Sequence, residues 1–320
     1  MKGEFHTKQS ALPELTGPLA VYTTIYPGVE PYLKDWYRSI CDQADKDFEL
    51  WVGLDQLESK GVKKLLGPAL TAEWIEAPSG FTPAQIRQRG LERIVETCAG
   101  VVLVDSDDVL QPSRVSAARA QLQTGELAGC ALHLVDQEGN DLGLTFDLPE
   151  ALESSGVLPR NNVFGFSNSA FRSDLLKRCL PIPPGAVLID WYLATRAWLL
   201  GAKLVFDRVP RMNYRQHSSN MARVRFPFSR DQVVSETALV RSHFALVQSE
   251  LSPDFLPDRY AQLRQVAQDV EEFYQCVVSD RVQLERYVVE LNALRPAPLW
   301  WSCVANPALG HMWNHRRALV

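Results

Sequence analysis

An α/β fold built on a mostly parallel sheet is predicted by three observations. Short apolar runs alternate with helical patterns all the way from Leu19 to Val104. The last of these runs, Val101-Val102-Leu103-Val104, is apolar throughout, as a strand buried on both faces must be. It then meets Asp105, Asp107 and Asp108. Open α/β sheets bind ligands outside the carboxyl ends of their strands, so three carboxylates gathered there mark a candidate site. Like charges that close repel unless something positive is shared among them. Hard oxygen ligands suit Mg²⁺ or Mn²⁺, ions that usually arrive with a phosphate. The alternative is a helix N-terminus capped by Asp107 or Asp108, with Pro112 at the start of the next helix.

The elements follow in order. Residues 1–17 read as a polar tail, with Gly3-Glu4-Phe5-His6 as a segment that could dock. Leu19 to Ile25 reads as a strand ended by the turn signal Tyr26-Pro27-Gly28. Tyr32, Leu33, Trp36, Tyr37 and Ile40 recur at helical spacing between about Glu30 and Ala44. Phe48 to Leu54 is a second strand closing on Asp55, Val62 to Leu66 a short helix or turn, and Ala72 to Glu76 a third strand. Thr82-Pro83 opens a helix running to about Thr97, with Thr as N-cap and Pro in the first helical position. Strand, helix, strand, helix, strand calls for parallel pairing through right-handed crossovers. There is no GxGxxG and no GxxxxGK[ST], so any nucleotide must be held by carboxylates, a metal and side chains.

Past the acidic loop, Arg114 to Gln123 reads as a helix and Leu127 to Val135 as a strand closed by the hairpin-type turn Asp136-Gln137-Glu138-Gly139-Asn140. Residues 145–162 look irregular. Ser173 to Cys179 and Ile189 to Leu200 read as helices, the second ended by Gly201, and Lys203 to Phe206 as a short strand before the polar stretch Tyr214 to Asn220. The C-terminal third, residues 229–320, differs. After a helix over Asp231 to Gln248, the residues Leu263, Val266, Val270, Phe273, Val277, Leu284, Tyr287, Leu291 and Leu294 form a heptad seam with Asp280 as its fault. The seam fits a helix packed on its own domain or a homodimer coiled coil. Leu299-Trp300-Trp301 and Trp313 to Arg317 form an aromatic and basic tail, fit for stapling onto the core or for peripheral membrane contact.

Composition narrows the class. The chain has 320 residues, 46% hydrophobic and 22% charged, with a formal charge of −5. That is a soluble globular balance without the basic footprint of a nucleic-acid binder. The six cysteines are scattered with no CxxC, which argues against zinc and fits a reducing cytoplasm. The N-terminus has no apolar core of a signal peptide, and no apolar run is long enough to span a bilayer.

Several segments together carry a family resemblance over about residues 18–225. They are Ala20-Val21-Tyr22-Thr23-Thr24-Ile25-Tyr26, Phe48-Glu49-Leu50-Trp51-Val52-Gly53-Leu54-Asp55, Ile86-Arg87-Gln88-Arg89-Gly90-Leu91, Asp105-Ser106-Asp107-Asp108, Ile189-Asp190-Trp191 and Tyr214-Arg215-Gln216-His217. In that order they resemble the family 2 glycosyltransferases, which are inverting enzymes with the GT-A fold. Leu54 and Ile189 stand where the family carries acids. The resemblance implies a catalytic domain over residues 18–228, with residues 229–320 as a helical extension outside it. It implies a nucleotide-sugar donor, with a UDP-sugar expected, and a carbohydrate or glycolipid acceptor in surface polysaccharide or glycolipid synthesis.

The same resemblance assigns roles. Asp55 would accept from a ring N–H of the base, and Tyr26 would flank it. Arg87, favoured over Arg89 because helical spacing lets only one face the site, would reach the diphosphate or Asp105. Asp108 would bind Mn²⁺ or Mg²⁺, helped by His217, and Asp107 would face the ribose or sugar. Asn168 and Ser169 would line the sugar side. Asp190, at a helix start that favours its ionised form, would be the general base. Two other readings stay open. One is an eroded, non-catalytic nucleotide-sugar binder. The other is a phosphatase with Asp105 as nucleophile, although no later Gly-Asp-x-x-x-Asp completes such a site.

Overall fold

The computed structural model describes residues 12–67, 70–148, 153–217, 220–221, 224 and 226–314. The Gly3–His6 segment and the basic residues His315 to Arg317 lie outside the described residues.

β1 (Leu19–Ile25), β2 (Phe48–Leu54), β3 (Glu73–Glu76) and β4 (Gly100–Leu103) form a parallel half-sheet in the order β3-β2-β1-β4. All seven residues of β1 are buried, which is why its sequence carries no polar alternation. The crossovers are α1 (Leu33–Cys41), α2 (Ser59–Leu66) and α3 (Pro83–Thr97). α3 opens on a full capping box, Thr82 accepting from the Gln85 backbone and the Gln85 side chain from the Thr82 backbone. It lies close on the sheet because residue 90 is glycine: a Cβ there would come within 2.8 Å of the buried Tyr22 ring.

The second half is mixed. β5 (Val109–Leu110) and α4 (Arg114–Leu122) precede β6 (Leu127–Val135), which makes the expected hairpin with β7 (Asp141–Phe146). Then come α5 (Ser154–Val157), β8 (Ser169–Arg172), α6 (Ser173–Cys179), α7 (Ile189–Leu199) and β9 (Leu204–Arg215). β8 sits antiparallel between β4 and β6, and β9 runs parallel to β6. Among the described residues the strands make one nine-stranded sheet, ordered β3-β2-β1-β4-β8-β6-β9-β5 with β7 on β6. β9 runs far past the expected Phe206. Its Pro210 cannot donate to a ladder, yet the register jumps from Cys130↔Asp207 to Ala131↔Pro210, so the proline sits at a bulge.

The C-terminal part is α8 (Arg230–Ser249), α9 (Pro257–Phe273), a π turn over Tyr274–Val278, and α10 (Arg281–Leu294). The heptad seam is therefore not one helix. Asp280 caps α10, its carboxylate accepting from the backbones of Val282 at 2.8 Å and Gln283 at 3.1 Å. Leu263, Val270, Phe273, Val277, Leu284, Tyr287 and Leu291 are buried within the chain. The surface that a homodimer coiled coil would use is thus occupied by the protein's own core. Trp300, Trp301 and Trp313 are buried too, which makes the described tail a staple. Among the described residues one hydrophobic cluster runs from Leu15 to Trp313, so the C-terminal helices share the core of the sheet-bearing part. No helix among the described residues is long and apolar enough to cross a membrane.

Candidate functional site

β1, β2 and β4 are parallel and end at one edge, and a cleft of about 890 Å³ opens there. Each strand delivers its next residues into it: Thr24 and Tyr26 from β1, Asp55 and Gln56 from β2, Asp105 and Asp107 from β4. The N-terminal turn of α3 adds Thr82 and Arg87, and the start of α7 adds Asp190.

The acidic loop is fixed from below. Ser106 donates to the Thr24 carbonyl at 2.8 Å, and the Asp105 backbone N–H donates to Ser167 Oγ at 3.0 Å. A turn closed from the Asp108 N–H to the Asp105 carbonyl sends the carboxylates in different directions. Asp105 faces Arg87, with Oδ1 3.3 Å from the guanidinium, which lies 4.0 Å over the Phe166 ring. Asp107 Oδ2 is 2.9 Å from His217 Nε2 and accepts from the Tyr26 hydroxyl at 3.4 Å. Asp108 turns inward and is absent from the cleft wall, at 1% exposure. Its Oδ1 accepts from the Arg215 backbone N–H at 2.7 Å and its Oδ2 from the Ser167 hydroxyl. Arg215 also holds the Asp107 carbonyl through Nε at 2.9 Å and lies over Tyr32, which stacks on His217.

The electrostatics follow from packing acids into a partly enclosed site. Burial pushes Asp105 up to about 7, with Arg87 opposing and Asp107 and Asp190 reinforcing. Burial, then Asp107 and Asp105, holds Asp108 well above the usual carboxylate range. Asp190 is raised by burial, with the Trp191 backbone and Arg87 opposing, and it accepts from Asn162 Nδ2 at 2.9 Å. The Tyr26 phenol is raised by burial and by Asp107 and Asp105.

Most of the residues singled out from sequence meet at this cleft: Tyr26, Asp55, Arg87, Asp107, Asp190 and His217 all line it. Three do not. Asp108 was expected to face a metal, but its carboxylate is spent on internal hydrogen bonds. Asn168 was expected on the sugar side, but it is fully buried and donates to the carbonyls of Cys130 at 2.7 Å and Val163 at 3.1 Å. Ser169 lies inside β8, its carbonyl accepting from Arg114 at 2.9 Å. The residues that do line this wall are Asn162, Phe166 and Ser167, with Trp300 and Trp301 beside them. Asn162 and Ser167 lie in or next to an irregular segment with no period to mark which side faces out.

No group of three or more His, Cys, Asp or Glu side chains is placed to hold a metal among the described residues. The donor set nevertheless suits a hard divalent ion that keeps most of its shell for a diphosphate: a carboxylate oxygen and an imidazole nitrogen, Asp107 and His217, side by side on the cleft wall.

Solved structures with this architecture exist. S. aureus TarS 1-349 in complex with UDP-GlcNAc matches with a TM-score of 0.54 and 14% identity, over 85% of this chain and 78% of that one. Mannosyltransferase PcManGT from Pyrobaculum calidifontis, in complex with GDP-Man and Mn²⁺, matches with a TM-score of 0.54 and 14% identity, over 89% and 83%. No protein-family model and no curated protein matches the sequence. At such identity the likeness establishes the fold, and the fold is the GT-A fold expected from the sequence.

Proposed function

We propose that this GT-A chain is a metal-dependent, inverting glycosyltransferase that moves a sugar from a nucleotide-sugar, most simply a UDP-sugar, to an acceptor hydroxyl. The observation that carries the reading is the sharing of one cleft by two different stations. The Asp107–His217 pair is fit for a metal-bound diphosphate, and Asp190 is a half-buried carboxylate with a raised pKa, fit for a base.

Asp55 closes β2 with its backbone N–H bound to the Ile25 carbonyl at 2.9 Å, which aims its carboxylate at a base edge beside Tyr26. A carboxylate accepts from a ring N–H such as that of uracil. The similar structures carry UDP-GlcNAc and GDP-Man, so the fold leaves the choice of nucleotide to such local contacts. Arg87 reaches for phosphate oxygens from the start of α3, and its Nε has no partner among the described residues. Asp105 holds Arg87 in place and faces the ribose or sugar. When bound at Asp107 and His217, Mn²⁺ or Mg²⁺ supplies Lewis-acid neutralisation of the departing diphosphate. Asp190 takes the proton of the acceptor hydroxyl as that oxygen attacks the anomeric carbon from the face opposite the diphosphate. A raised pKa suits a base that must hold the proton it takes, and the Trp191 N–H and Arg87 oppose the rise. One displacement at carbon inverts the configuration and needs no nucleophilic side chain. The free state of all six cysteines fits a cytoplasmic setting, where surface polysaccharide or glycolipid precursors are assembled.

A thermal-shift series with UDP, GDP and their sugars, with and without Mn²⁺, tests this. A ligand at 100 times its Kd stabilises by about 2.7 kcal/mol, well within detection. Stabilisation by a nucleoside diphosphate only in the presence of the metal is expected. If no nucleotide shifts the protein, the proposal fails.

A further inference from the structure

The cleft is larger than a diphosphate needs, and one wall comes from the far end of the chain. Trp300 and Trp301 line it together with Asp190, Asn162 and the rim residues Val187 and Met221, which are 51% and 54% exposed. Both indoles are locked. Trp300 packs at 4.1 Å on Phe146 and edge-on to Tyr214. It occupies space that exists only because residue 165 is glycine, where a Cβ would come within 2.3 Å of the indole. Trp301 stacks at 8° on Trp191, the residue after Asp190, and Trp191 stacks in turn on His243. The backbone of Trp301 is left-handed, φ +65°, a conformation that a bulky residue adopts only when its surroundings impose it and that often marks a functional site. Neither indole N–H has a hydrogen-bond partner among the described residues.

Resting on the glycosyltransferase reading, we infer that Trp300 and Trp301 form the acceptor subsite and that it takes a pyranose ring. A sugar ring presents apolar C–H patches and hydroxyls in alternation. The wall offers the same alternation: indole edges and Val187 for the C–H patches, and the Asn162 amide, the indole N–H groups and Asp190 for hydroxyls. An alkyl chain would leave the indole N–H groups unpaired, which is costly in an enclosed site. The indoles are already immobilised, so binding orders little. The C-terminal segment is then a specificity element, placing one ring hydroxyl at Asp190.

The test is saturation-transfer NMR on the full chain with UDP and Mg²⁺. The probes are the methyl pyranosides of glucose, galactose, mannose and N-acetylglucosamine, with 1-hexanol as the apolar counterpart. Saturation of ring C–H protons of at least one pyranoside is expected. Trp300→Leu should weaken it by about 3- to 10-fold, the range set by loss of an aromatic contact. Because that substitution touches the core, Val187→Arg on the exposed rim is the second variant. It should also abolish the pyranoside signal while leaving the UDP-induced thermal shift unchanged. Pyranoside signals left unchanged by both substitutions overturn the inference, as does saturation of hexanol in their place. A UDP shift in the wild type without any pyranoside signal overturns the acceptor subsite alone. The absence of a UDP shift overturns the donor reading, and this inference with it.

Discussion

Exchanging aspartate for asparagine at two adjacent positions separates the roles that the acidic loop distributes. Asp107 faces His217 and the cleft, while Asp108 faces Ser167 and the Arg215 N–H. In Asp108→Asn the amide oxygen still accepts from Arg215 and the amide N–H donates back to Ser167. One of three crowded carboxylates is gone, so stability should hold or rise, by up to about 1 kcal/mol for a neutral hydrogen bond kept while repulsion is lost. In a chain of this size that is a rise of roughly 1–2 °C in Tm. Asp108→Ala strips the acceptor from a buried N–H and should cost about 1–3 kcal/mol. Asp107→Asn leaves the fold alone but removes a unit charge from the proposed metal position. Two unit charges 4 Å apart near a protein surface interact by about 4 kcal/mol, so metal-dependent UDP affinity should fall by at least about 100-fold. Differential scanning fluorimetry and Mn²⁺ titrations of UDP binding read both quantities. Should Asp108→Asn lose metal-dependent binding while Asp107→Asn keeps it, the assignment drawn from the turn geometry is refuted.

Asp190→Asn should lower kcat by about 10²–10⁴-fold with UDP binding unchanged, measured by sugar transfer and by UDP titration. The buried His243 imidazole is pushed from its ordinary 6.5 down to about 3 by burial. Its folded pKa lies below its unfolded one, so the unfolded state gains the proton first and stability drains as pH falls from 6.5 towards 3. At pH 5 that is about 2 kcal/mol, and His243→Phe should abolish this part of the loss in urea unfolding at pH 7.5 and 5. Gly165→Ala should destabilise by about 1–3 kcal/mol through its clash with Trp300, read by the same unfolding curves; an unchanged midpoint would mean the indole is not wedged there.

How far the sequence reading reached depended on periodicity. β1, β2, β6 and α6 have the expected bounds, and α3 begins and ends where its Thr-Pro cap and helical pattern place it: the helices bury a repeating face, and the strands are short apolar runs. The later part of β9 and the whole of β8 were illegible for opposite reasons. β9 carries a proline and charges at a bulge, and β8 is four residues long and entirely buried between neighbours from distant sequence. The order of stations Asp55, acidic loop and Asp190 was readable, since each follows a strand or opens a helix. Which way Asp107 and Asp108 point was not, because a loop has no period and the direction is set by Ser167 and Arg215, remote in sequence. Asp280, read as a fault in the seam, is the cap that divides it.

The packing around Trp191 ties the sheet-bearing part of the chain to the C-terminal helices. That ring follows Asp190 on the same helical turn and donates to the Leu158 carbonyl at 3.2 Å. It lies between His243 of α8 and Trp301 of the C-terminal segment, at 4.3 Å and 6.1 Å between ring centres. Arg160, in the loop that leads to Asn162, pairs with Asp269 of α9 and donates to the Ala305 carbonyl at 3.1 Å. The position of Asp190 and the shape of its side of the cleft therefore depend on residues 100 or more positions later as much as on the sheet. On the proposed reading, the donor side rests on strand ends and a capped helix, features built from local sequence, whereas the acceptor side also needs the C-terminal helices packed against it.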